Sequence, residues 1–177
     1  MSPVSFLTVA VALIVASRAL AVSPSYSLDG IVLGSTVAAA IRTLGKPTVS
    51  SSTKYKWTNS SGGTDTVLAS PDGNIILIDV VAGKYEQRQI DAAGGSGTLG
   101  ETGHVNFIEP TNASGEDTCG PVFVGAPCVA YTLPGGVELV ANFGEDNGMA
   151  DWYLSELVLG SRDLMIASGR VIAEGKN

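Results

Sequence analysis

The stretch 29–47, DGIVLGSTVAAAIRTLGKP, limits the folds open to this chain more than any other. Gly34 breaks an apolar run, and Ser35 or Thr36 can cap a helix because a hydroxyl accepts the unpaired first-turn N–H groups. Val37, Ala40, Ile41 and Leu44 then fall at the i, i+3, i+4, i+7 spacing of one buried stripe. Gly45 takes a left-handed cap and Pro47 cannot continue, so the helix spans 36–44. At about ten residues it is marginal alone and must be held by packing.

What holds it is a meander. Lys54-Tyr55-Lys56-Trp57-Thr58 alternates aromatic and charged residues, the two-residue period of a half-exposed strand. A turn at 59–63, a strand at 64–70, the tight turn Pro71-Asp72-Gly73-Asn74 and a strand at 75–81 follow. In that last strand Ile76, Ile78 and Val80 share one side, and Ile75, Leu77 and Val81 the other. A strand apolar on both sides is covered on both. The helix supplies one cover, and another domain or a partner must supply part of the second.

Past this unit, 86–90 reads as a helical turn and AAGGSG, 92–97, as a flexible linker by composition. Landmarks of the first unit then recur in order. Leu99-Gly100 echoes Leu33-Gly34, Tyr131-Thr132 echoes Trp57-Thr58, Gly135-Gly136 echoes Gly62-Gly63, and Asp146-Asn147-Gly148 echoes Asp72-Gly73-Asn74. The expectation is an α+β fold: a short helix packed on an antiparallel β-meander, repeated in tandem with a degenerate second copy. Its divisions are 22–91, the linker, 98–161 with strands at 128–133, 137–143 and 152–159, and a weakly structured tail at 162–177. The second copy has no helical pattern between its landmarks.

The N-terminus carries an apolar run, 6–16, before Ala19-Leu20-Ala21, the pattern of a secretory signal peptide cleaved after Ala21. Arg18 interrupts it too early for a membrane span of about 20 residues. The expected location is secreted or periplasmic, an uncleaved N-terminal membrane anchor being the alternative. Cleavage removes Arg18 and no carboxylate, so the formal charge of −7 becomes −8. Lys and Arg scattered singly on an acidic chain argue against a nucleic-acid partner and against docking on anionic lipid. In an exported protein Cys119 and Cys128 pair by default, closing a short loop.

The order Gly30-Ile31, Leu33-Gly34, short helix, Leu44-Gly45-Lys46-Pro47, aromatic strand and DGN hairpin resembles the small SmpA/OmlA-type exported domain. That domain shares its fold with the tandem-repeat β-lactamase inhibitory protein. The resemblance covers 29–82 and implies an exported, non-enzymatic protein that works through protein contacts on a concave sheet surface. This chain has no lipobox cysteine, and its second copy lacks the helix.

Chemistry is sparse. His104 is the sole histidine, and no G-x-S-x-G elbow, H-E-x-x-H helix or Walker loop occurs. Asp146-Asn147-Gly148-x-x-Asp151 offers oxygen donors around a glycine but lacks the spacing of an EF-hand, and no metal or cofactor is expected. Asn59-Ser60-Ser61 and Asn112-Ala113-Ser114 match the glycosylation acceptor pattern, with meaning only in a eukaryotic secretory host. The aromatics on expected strands are Tyr55, Trp57, Tyr131, Phe143, Trp152 and Tyr153. Trp57 and Phe143 are as readily core fillers. Tyr55, Trp57, Tyr131, Trp152 and Tyr153 form the candidate partner-binding set, because Trp and Tyr supply large contact area at low entropy cost. The functional expectation is an exported non-enzymatic protein-binding or scaffolding module, with an enzyme inhibitor as its special case. The competing class is a secreted β-rich hydrolase or carbohydrate-binding protein working through Asp and Glu.

Overall fold

The computed structural model describes residues 25–83, 86–100, 107–123, 127–145 and 152–172. The expected signal peptide, His104 and the 146–151 oxygen-donor loop lie outside them. The fold is mostly β: one large, mixed, strongly curled half-barrel sheet with two short helices.

In chain order, β1 (Ser27–Leu28) and β2 (Ile31–Val32) make a hairpin, and α1 (Val37–Leu44) follows. Strands β3 (Val49–Ser50), β4 (Lys54–Thr58), β5 (Thr64–Ala69) and β6 (Ile75–Val81) run antiparallel to one another. A second hairpin, β7 (Arg88–Ala92) and β8 (Gly95–Leu99), precedes the short strands β9 (Phe107–Ile108) and β10 (Gly115–Asp117). A second meander, β11 (Cys128–Leu133), β12 (Val137–Glu145) and β13 (Trp152–Ser161), leads into α2 (Arg162–Ala167).

The ten-residue β13 is the joint of the sheet. One edge pairs with β12 along its length; the other pairs antiparallel with β6 over 156–160 and parallel with β8 at Leu154. Because the neighbour changes partway along, the ribbon β2-β1-β7-β8 turns inward over the concave face of β4-β5-β6-β13-β12-β11. Leu28, Ile31, Ile90 and Leu99 from the ribbon thereby meet Val67, Ile78, Leu139, Leu157 and Leu159 from the meanders.

Thr36 caps α1, its hydroxyl accepting from the Ala39 N–H, and Gly45 closes it at φ +81° with its N–H on the Ile41 carbonyl. One end is tied to the β5–β6 turn, Val37 N–H donating to the Gly73 carbonyl. The other is tied to β4, the Trp57 indole donating to the Gly45 carbonyl at 2.8 Å. Val37 and Ala40 are buried and Leu44 packs on the core, but Ile41 is 36% exposed. The expected stripe is therefore narrower than its spacing implied: the helix rests on its two ends.

Four other expectations are corrected. A bulge between Leu68 and Ala69 sets Ala69 opposite Ile75 and Leu68 opposite Leu77, leaving Ile76 outside the ladder. The extra residue flips the parity, so Ile75 joins Ile78 and Val80 in the inner core while Ile76 is 38% exposed. The expected helical turn at 86–90 gives way to β7 from Arg88 onward. The expected linker at 92–97 is a tight hairpin in which Ala93 and Gly94 both take positive φ, the demand of a type I′ turn. Its glycines serve close approach: a Cβ on Gly95 would lie 2.2 Å from the Ile108 carbonyl oxygen. The tail carries α2 and the bridge Cys119–Val171, with Met165 and Val171 buried. Together with the Cys119–Cys128 disulfide, it covers Leu77, Ala130, Val140 and Val158 on the convex face. On the second apolar side of β6, Leu77 is thereby covered from within the chain, while Val81 stays 37% exposed.

Candidate functional site

Four groups of carboxylates stand out, and in three of them a single arginine is shared among the acids. Arg88, on β7, reaches Asp29, Asp65 and Glu86. Glu86 is buried, accepting from the Gly83 N–H at 2.6 Å and from the Asn59 side chain. A Cβ on Gly63 would strike its carboxylate and one on Gly100 its main-chain oxygen, so glycines build the recess it occupies. Burial acts to lower the Arg88 pKa, but its hydrogen bond and charge pairing with Asp65, then Asp29 and Glu86, raise it. Burial raises Asp29, against the pull of Arg88. The Asn59 side chain also accepts from the Ser61 and Gly63 N–H groups, which commits that amide and reads against glycosylation there.

On the convex face, Arg162 bridges Asp117 (2.7 Å) and Glu138 (3.3 Å), and Arg170 bridges Asp79 (2.8 Å) and Glu156 (3.5 Å). The two arginines flank the buried Met165, so the C-terminal segment is pinned at both ends. Burial raises Glu138, helped by the charge of Asp117. Glu156 is pushed up to about 7, by burial first and then by the Asp79 charge, with Arg170 opposing.

Among the described residues the fourth group has no cation of its own. Glu109, Thr111, Ser114 and Glu116, with Pro110 and Tyr131, line an open cleft of about 350 Å³ beside β10. Glu116 lies directly opposite Tyr131 in the β10–β11 ladder, and Tyr131 directly opposite the buried Leu139. The Tyr131 ring is thus the rim of the inner core, tilted against Phe107 at 5.9 Å between centroids. Burial raises its phenol, and the charges of Glu109 and Glu116 raise it further.

The expected aromatic set divides. Trp57, 6% exposed, and Tyr131, 7% exposed, belong to the core, so neither offers a broad face to a partner. Only the Tyr131 edge reaches open space, in the cleft. Tyr55 is half-buried against the same core. Tyr153 is half-buried over Gly144, where a Cβ would meet its ring at 2.5 Å. The side chain of Trp152 lies outside the described residues. Glu109 and Glu116 were legible only as acids in a loop-like region; strand register sets Glu116 opposite Tyr131, and the segment after β9 brings Glu109 to the same cleft. A second cleft, about 300 Å³, is lined by Tyr26, Leu33, Ile75, Ile76 and Val137. Among the described residues no helix is long and apolar enough to cross a membrane, and no group of three or more His, Cys, Asp or Glu could hold a metal ion.

No family model matches the chain, and neither does a curated protein or a solved structure.

Proposed function

We propose that this chain is an exported, non-enzymatic protein-binding module that engages its partner at the cleft beside β10. One observation carries the reading. Tyr131 is 7% exposed and lines an open cleft whose other lining residues include Glu109 and Glu116. Elsewhere among the described residues the grouped acids are answered by an arginine of the same chain. Acids lining an open cleft without one are available to something outside it.

The finer architecture is part of this reading: we take the halves as tandem copies, the second without its helix. Each runs from a two-stranded hairpin, β1-β2 or β7-β8, to a three-stranded meander, and the meanders meet through antiparallel β6 and β13. The echoed pairs fall at like places. Leu33-Gly34 and Leu99-Gly100 end the hairpins, Trp57 and Tyr131 lie in the first meander strands, and Gly62-Gly63 and Gly135-Gly136 lie in the first meander turns. We read this arrangement as the tandem form that the SmpA/OmlA-type resemblance implies.

The test is capture from the secreted proteins of the native host with the mature chain as bait. Partner recovery should survive Val122→Ser and be lost in Glu116→Lys at unchanged melting temperature; equal recovery by both refutes the assignment. A second reading, a carbohydrate-binding protein or hydrolase, is favoured by the pair of carboxylates in one cleft. Turnover of a glycan that Glu109→Gln or Glu116→Gln abolishes would replace the first reading with the second.

A further inference from the structure

The geometry points to the cleft beside β10 as a receptor for a guanidinium or ammonium head carried on an extended basic polypeptide. This rests on the protein-binding reading and names the chemistry it would use. The first support is the phenol of Tyr131: the residue is 7% exposed, lines the cleft, and its hydroxyl has no hydrogen-bond partner among the described residues. That hydroxyl is open to water in the cleft, and a ligand there can take the water's place as its partner. The second is the charge of the lining, which includes Glu109 and Glu116 and no Lys or Arg. Carboxylates accept only, so the complementary head is a cation rich in N–H donors, and a planar guanidinium can meet more than one acceptor at once. Both carboxylates are exposed, so a neutral ligand would gain no charge pairing from them, and an anion would be repelled.

The third support concerns what carries the head. Among the described residues β10 pairs only with β11, and the tail takes up the chain beyond it at Thr118 and Gly120, which leaves 115–117 a short unpaired edge beside the cleft. An extended polypeptide can hydrogen-bond along such an edge while one side chain enters the cleft. A free amine gains nothing from it. The formal charge of −7 attracts a basic segment over a longer range.

A titration of the ring-labelled full chain, followed by NMR of the Tyr131 ring resonances, tests this. Those resonances are assigned with Tyr131→Phe. Acetylarginine amide should shift them, its uncharged citrulline counterpart should not, and the affinity should fall with salt. An extended peptide alternating Arg and Ser should bind at least about tenfold tighter than the single residue. Glu109→Gln and Glu116→Gln should each weaken the peptide about tenfold, the loss of one charge-assisted hydrogen bond, with thermal unfolding unchanged. Equal shifts with citrulline, no shift with arginine amide, displacement of the peptide by millimolar calcium, or a peptide no tighter than the single residue would each overturn the assignment. Capture of a protein lacking basic segments through the same cleft would overturn this chemistry and leave the binding reading standing. Peptide binding without any captured protein would do the reverse.

Discussion

The two faces of the central meanders are held by different physics. The concave face is filled with Leu, Ile and Val from α1, the ribbon and both meanders, with Trp57 and Tyr131 at its rims. The convex face has a small apolar patch under Met165 and Val171, locked by arginines that are each shared between two carboxylates. Apolar burial is indifferent to pH, whereas a shared arginine leaves one negative charge in excess in a desolvated place. The first face supplies cohesion and the second supplies a fastening that titrates.

The largest expected break is on the concave side. Leu157→Ala should cost about 3–4 kcal/mol, a typical loss for a fully buried leucine, and the loss should be the same at pH 5.5 and 8.5 in urea melts. On the convex side, Met165→Ala should cost less, about 2–3 kcal/mol, since it deletes the centre of a smaller cluster. Equal losses at the two sites would erase the contrast.

Reducing Cys119–Cys128, which closes a loop of nine-residue separation, should cost about 2–3 kcal/mol on the chain-entropy account. Its effect should fall on the convex face, and limited proteolysis should then cut within 162–172 before any strand. Early cuts in β7 or β8 instead would mean that the ribbon is the weaker fastening.

Glu156 sharpens the comparison through pH. Its folded pKa, about 7, lies above the ordinary carboxylate value, so the folded chain holds this proton more tightly than the unfolded one. The stabilisation is complete below about pH 4.5 and is lost as pH rises through 7. The neighbours facing Glu156 are Asp79 on β6, Arg170 after α2 and Asn142 on β12. Glu156→Gln should flatten the fall in melting temperature between pH 5 and 8 and melt above the parent chain at pH 8. An unaltered pH profile would mean that the excess charge is screened. The smallest effect is local to the helix: Thr36→Ala should cost about 1 kcal/mol at every pH, the worth of one N-cap.

Local rules read the chain well where local chemistry decides. The cap at Thr36, the stop at Gly45, the three meander strands and the Cys119–Cys128 pairing are all visible in spacing and residue type. They fail where the sheet decides. Ile76 and Ile75 exchange roles because a bulge, invisible in an unbroken run of aliphatics, shifts the parity by one. AAGGSG has the composition of a linker, yet Ala93 accepts a left-handed conformation because β7 and β8 must pair on either side of it. Among the expected aromatics, Tyr131 lines the candidate site, but as a buried rim and not as an exposed patch. Its companions Glu109 and Glu116 carry no sequence signal beyond their charge.

By itself the sequence determined the small elements of this protein: where a helix starts and stops, where strands alternate, and which two sulfurs meet. Capping, turn chemistry and period-two alternation act over a few residues, so they are written locally. The tertiary structure decided that β13 changes neighbours, that α2 covers the convex face, and that one tyrosine rim meets two acids from separate segments. Those outcomes depend on pairing between residues far apart in the chain, and no short window of sequence contains both partners.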